Sequence, residues 1–88
     1  MKVQFRSSFL KDIKTIPDKS IKQRLVKVIS SVEAAKTLQD ISNIKKLRGP
    51  QDYYRIRIGD YRIALTNDGE VITFVRCLHR REIYKFLP

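Results

Sequence analysis

The chain has 88 residues, 42% of them hydrophobic, and no apolar run approaches membrane-spanning length, so one small domain over residues 1–88 is expected and disorder and membrane insertion are excluded. Nineteen Lys and Arg against nine Asp and Glu give a net charge of +10, which favours acidic partners, either nucleic acid or an acidic protein. Met1–Arg6 lacks the apolar stretch of a secretory signal, so a cytoplasmic location is expected, and the lone Cys77 excludes an internal disulfide.

In chain order, Val3 and Phe5 alternate with Lys2, Gln4 and Arg6, which predicts a first strand. Ser7 or Ser8 then offers a hydroxyl to cap a helix whose apolar face is Phe9, Leu10, Ile13 and Ile16, with Pro17 marking its end. Asp18 is placed to cap a second helix of about 17 residues. Its apolar positions Ile21, Leu25, Val28, Ile29 and Val32 recur at helical spacing, while Lys19, Lys22, Lys27 and Glu33 fall largely off that stripe. Two helices joined by a Pro turn predict an antiparallel hairpin. A short helical turn is expected around Leu38 and Ile41, then an extended segment from Lys45 to Arg48 ended by a Gly49-Pro50 turn.

Strands follow at 53–58, 61–66 and 71–78, with tight turns at Gly59-Asp60 and Asn67-Asp68-Gly69. The last is apolar on both faces, as a central strand should be. Residues 81–87 read as a final helical turn. The expected fold is α+β: an N-terminal strand and an antiparallel helical hairpin packed on a mainly antiparallel four-stranded sheet.

The two halves of the chain carry equal charge but different cations. Residues 1–43 hold seven Lys and two Arg, whereas residues 44–88 hold three Lys and seven Arg. Arginine presents a planar fork suited to paired hydrogen bonds with phosphate oxygens, so the second half is where a site is expected. Strand alternation puts Tyr54, Ile56 and Ile58 on one face and Arg55 and Arg57 on the other. If the hairpin covers Ile56, Ile58, Ile63 and Leu65, the opposite face is an uncovered cationic surface bearing Arg55, Arg57 and Arg62. Solvated side chains paired with Asp52, Asp60 or Glu82 are the plain alternative, but three arginines on one face favour an anion.

Lys46-Leu47-Arg48-Gly49, the run Tyr53 to Ile63, and His79-Arg80-Arg81-Glu82-Ile83-Tyr84 together resemble the RelE branch of the RelE/ParE toxin superfamily, over almost the whole chain. The resemblance implies a RelE-like fold and a type II toxin neutralised by a cognate acidic antitoxin. It also implies cleavage of mRNA in the ribosomal A site without metal or cofactor, the 2′-hydroxyl attacking the adjacent phosphorus. Residue by residue, Arg55 and Arg57 match paired basic positions that are often lysines in the family, and Lys46 and Arg48 fall among the substrate-binding cations. Arg62 matches the arginine at the scissile phosphate, Arg80 a basic residue at the exit of the last strand, and Tyr84 a C-terminal aromatic that stacks on the nucleotide or aids proton transfer.

Arginine stays protonated, so Arg55 and Arg57 are expected to be electrostatic clamps rather than bases. His79, which titrates near neutrality, is the candidate proton acceptor or donor; its alternative is a local structural role at the strand end. One His, one Cys and no clustered carboxylates give no metal site, and no Gly-rich loop cradles a small-molecule ligand. Cys77 and His79 share a strand face on paper, but burial of Cys77 is expected to keep its thiol from ionising. The hairpin lysines Lys11, Lys14, Lys19, Lys22 and Lys27 suit ribosomal RNA phosphates or plain solvation. The competing functions are a ParE-like inhibitor of DNA gyrase without nuclease activity, and a degenerate toxin retaining only antitoxin binding.

Overall fold

The computed structural model describes residues 1–47 and 52–86. Its elements are β1 (Lys2–Phe5), α1 (Ser7–Lys14), α2 (Lys19–Ala34), a 3-10 turn at Leu38–Asp40, β2 (Ile44–Lys46), β3 (Tyr53–Ile58), β4 (Tyr61–Asn67), β5 (Val71–His79) and α3 (Arg80–Phe86). The Gly49-Pro50 turn and Arg48 lie outside the described residues.

The four antiparallel strands take the order β5-β4-β3-β2, and β1 adds a fifth strand that pairs with β5 in parallel. This corrects the four-stranded expectation: alternation in Val3 and Phe5 marks a strand but carries no information about its partner. The apolar β5 is central because β1 and β4 flank it, and Ile72, Phe74 and Cys77 are buried. A β-bulge inserts Val75 where the register jumps from Ala64↔Arg76 to Leu65↔Phe74.

The α1–α2 hairpin covers one sheet face. Phe9, Ile21, Leu25 and Val32 pack there against Ile56, Ile58, Ile63, Leu65 and Phe74. Asp18 caps α2 as expected, its Oδ1 accepting the Ser20 N–H at 2.8 Å. The serine cap of α1 is corrected: Arg6 is the capping residue and no side chain caps it. Leu10, expected on the buried face, is 44% exposed, while its neighbour Phe9 is fully buried.

Beyond Phe5 the strand β1 stops pairing, and α1 takes its place along β5. Ser8 and Asp12, one helical turn apart, do what a neighbouring strand would do. Ser8 Oγ donates to Val75 O at 2.7 Å, and Asp12 Oδ2 accepts the Cys77 N–H at 2.9 Å. Two otherwise orphaned backbone groups of a buried strand are thereby satisfied.

Candidate functional site

The register fixes the faces. Tyr54, Ile56 and Ile58 point toward the hairpin, while Tyr53, Arg55 and Arg57 point away from it. Arg57 is paired with Arg62 on β4 and Arg55 with Ala64, so Arg55, Arg57 and Arg62 share one face, as strand alternation implies.

That face is not bare. The helix α3 turns back onto it and packs Ile83 (2% exposed) over Ala64, with Leu47, Tyr53 and Leu78 around them. The expected uncovered face is thus corrected to one partly roofed by α3. The terminal segment is a two-turn helix rather than a single turn, because Ile83 and Phe86 supply the apolar contacts that dock it. Arg62 is buried, at 6% exposure, instead of solvent-facing.

Arg62 donates from Nη1 to Gly59 O at 2.7 Å and Tyr61 O at 2.9 Å. Burial pushes its pKa below the usual arginine value, and the charges of Arg57, Arg55 and Arg80 push the same way, with Tyr84 opposing them. All four therefore lie within electrostatic reach of Arg62. Among the described residues no carboxylate comes within 4.0 Å of Arg55, Arg57 or Arg62. The buried Nε of Arg55 has no hydrogen-bond partner. Guanidinium groups held together without a neighbouring carboxylate can take up an anion, which would offset their mutual repulsion.

The other sequence candidates are distributed as follows. Arg80 opens α3, its N–H donating to Asp60 O at 2.7 Å and its Nε lying 4.0 Å from Asp60 Oδ1. Tyr84 is 70% exposed on α3. His79 is not brought to the arginine face: it pairs with Tyr61, which packs on the hairpin side, and its ring meets Tyr61 edge-on at 5.6 Å. Its Nδ1 accepts the Arg81 N–H at 3.2 Å, so it also caps the start of α3. Lys46 likewise falls on the hairpin side, opposite Tyr54, and lies 3.7 Å from Asp52.

Lys45, which sequence reasoning passed over, is instead the register partner of Arg55 and joins the arginine face. Adjacent lysines point to opposite faces of a strand, and only the β2–β3 register says which is which. Cys77 is buried on the hairpin side. Burial, then the charge of Asp12, raises its thiol pKa to about 12, so it is no nucleophile near neutral pH. Among the described residues no group of three His, Cys, Asp or Glu side chains is gathered as metal ligands would be. No helix of the described residues is long and apolar enough to cross a membrane.

Residues 3–84 match the family profile described as the ParE toxin of type II toxin–antitoxin system, parDE. The chain is 42% identical to Toxin RelE3 of Methanocaldococcus jannaschii over 89 aligned residues, covering 100% of both sequences. Its structure is similar to the toxin of a RelB-RelE antitoxin-toxin complex from Methanococcus jannaschii, with a TM-score of 0.81, 38% identity, and 96% and 98% of the two chains covered. The YoeB dimer of Staphylococcus aureus shares the fold, with a TM-score of 0.72 at 22% identity over 90% of this chain and 95% of that one.

Proposed function

The chain belongs to the RelE/ParE family of type II toxins, on the RelE side, and from that membership we propose that it is a ribosome-dependent mRNA endoribonuclease cleaving in the A site. The observation that carries the proposal is the arginine cluster of Arg55, Arg57 and Arg62, which has no carboxylate partner among the described residues and holds Arg62 buried. A nuclease of this kind must stabilise charge that develops on the phosphorane oxygens, and pre-placed cations in a desolvated site do so without reorganising.

In the reaction the 2′-oxygen forms a bond to the adjacent phosphorus and the bond to the 5′-oxygen breaks. The products are a 2′,3′-cyclic phosphate and a 5′-hydroxyl. Arg62 is the residue for the scissile phosphate, because its guanidinium is fixed by two carbonyls and least solvated. Arg55 and Arg57 flank it on β3 and hold the non-bridging oxygens, with Lys45 extending the track toward the next phosphate. Arg80 serves the phosphate near the α3 start. Tyr84 supplies an exposed ring for stacking and a hydroxyl for proton transfer. His79 is assigned the structural role of its two alternatives, since its Nδ1 is engaged by Arg81 and it faces away from the arginines. Lys46 contributes only long-range charge, and Arg48 stays a proposed contact.

The net charge of +10 fits an acidic cognate antitoxin, and a cytoplasmic setting follows from a ribosomal target. Neither metal nor cofactor takes part in the proposed chemistry. The second reading, gyrase inhibition, draws support from the family profile being that of ParE.

Primer extension on mRNA-programmed ribosomes tests the proposal with wild type, Arg62→Ala, Arg80→Ala and His79→Ala. Discrete A-site cuts, lost in Arg62→Ala and retained in a folded His79→Ala, are expected. No cut by folded wild type would overturn it, and a supercoiling assay with gyrase would then decide for the second reading.

A further inference from the structure

Arg76 stands apart from the arginine cluster, yet it ties three elements together. Its register partner is Ala64, so it leaves β5 on the arginine face. From there its fork meets both oxygens of Asp12 on α1, Nε to Oδ2 at 2.7 Å and Nη2 to Oδ1 at 3.0 Å. That pair raises the Arg76 pKa above its usual value, and Asp12 is further fixed by the Cys77 N–H. A bidentate pair sets the plane of the guanidinium as well as its position.

The flat guanidinium lies 5.3 Å from the centre of the Phe86 ring on α3, within the range of a cation–π contact. Phe86 in turn meets Tyr53 edge to face at 6.4 Å. A helix of seven residues has no stability of its own, so tertiary contacts decide where α3 sits. The start of α3 is held by the Arg80 N–H on Asp60 O and its middle by Ile83. Its far end is held by Phe86, and Tyr84 lies between these last two anchors.

We propose that Asp12 and Arg76 are positioning residues for RNA cleavage: through Phe86 they fix the distal half of α3 and so place Tyr84 against the arginine cluster. Both side chains are already engaged, Asp12 by Arg76 and the Cys77 N–H, and Arg76 by Asp12 and the Phe86 ring. The inference rests on the nuclease reading above. Charge alone would not suffice, because lysine can pair with Asp12 but offers no planar face to Phe86.

The test compares Arg76→Lys, Asp12→Asn and Phe86→Leu with wild type, each alone and combined with Tyr84→Ala. Two readouts are taken: cleavage kinetics on programmed ribosomes, and amide exchange of Ile83 and Tyr84. Arg76→Lys and Phe86→Leu are each expected to lower kcat about tenfold with KM within about twofold, as for a misplaced transition-state group. Ile83 and Tyr84 amides are expected to lose protection about tenfold while β3 and β4 amides keep theirs. Combined with Tyr84→Ala, the same substitutions should cost no further activity, a non-additivity that general destabilisation does not produce. Losses that add to Tyr84→Ala, wild-type kcat in Arg76→Lys, or unchanged α3 exchange would each overturn the inference. If wild type itself does not cut, the nuclease reading falls and the positioning role with it, while exchange still decides whether Arg76 anchors α3.

Discussion

Arg57→Gln should make the protein more stable and less active at once. Arg57 and Arg62 are directly opposed across β3 and β4, and cross-strand neighbours of this kind hold their Cβ atoms roughly 5 Å apart. With guanidinium groups about 7 Å apart and an effective dielectric of about 40–80, Coulomb repulsion is roughly 0.6–1.2 kcal/mol. Arg57 is exposed, so solvent screening reduces the recoverable part to about 0.5–1 kcal/mol. Glutamine keeps length and hydrogen-bonding capacity while removing the charge. In urea, with a slope of about 1 kcal/mol per molar, the midpoint should rise by about 0.5–1 M at low salt. In about 1 M NaCl, where the screening length is about 3 Å, the gain should vanish. Cleavage on ribosomes should meanwhile fall about 100- to 1000-fold, as for loss of one transition-state donor. A midpoint that does not rise at low salt, or a rise that persists at high salt, would refute the idea that the cluster is held under repulsion. A rise without loss of cleavage would separate the repulsion from function.

Ser8→Ala removes the hydroxyl that donates to Val75 O at 2.7 Å; urea unfolding should show a loss of about 1 kcal/mol, with cleavage by the folded fraction unchanged. Gly59 has φ +55°, and a Cβ there would lie 3.2 Å from Arg24 Nη1 and 3.3 Å from Ile21 Cδ1. Gly59→Ala should therefore cost about 1–2 kcal/mol, read as a fall in Tm of roughly 4–15 °C. The Cys77 thiol holds its proton to about pH 12 when folded against an ordinary value near 9. The folded pKa is the raised one, so its contribution is complete below about pH 9 and is lost as pH climbs toward 12, at up to about 1.4 kcal/mol per pH unit. Unfolding of wild type between pH 8 and 10.5 should be steeper in pH than that of Cys77→Ala; equal slopes would contradict burial of the thiol.

Most of the fold was legible because its signals are local. The 3.6 period of Ile21, Leu25 and Val32, the Asp18 cap and the alternation in Tyr53–Ile58 each need only a few neighbouring residues. The arginine face was legible too, since alternation alone puts Arg55 and Arg57 together, and a short hairpin turn brings Arg62 opposite. What was hidden depends on pairings between distant segments. The parallel partner of β1, the swap of Lys46 for Lys45 on the arginine face, and the turning of His79 toward Tyr61 are all register facts. The docking of α3 was hidden as well, since its apolar anchors are a single isoleucine and a phenylalanine in a run that otherwise reads as polar. Asp12 gave no signal at all, because its partners Arg76 and Cys77 lie 64 and 65 residues away.

The parallel pairing of β1 with β5 also bears on how the molecule is made. Gln4 reaches its partner Thr73 across a separation of 69 residues, and β5 is the last of the five strands in chain order. Without β5, β1 has no strand to pair with and β4 lacks one of its two neighbours. The complete sheet needs residues 71–79, because β1 and β4 pair with β5 and α1 bonds to its backbone. Closing so long a loop draws on contacts that do not exist earlier, which favours slow, all-or-none folding over gradual accretion. A chain truncated before β5 is therefore expected to lack the strand that β1, α1 and β4 share, and circular dichroism of such a fragment should show no native sheet.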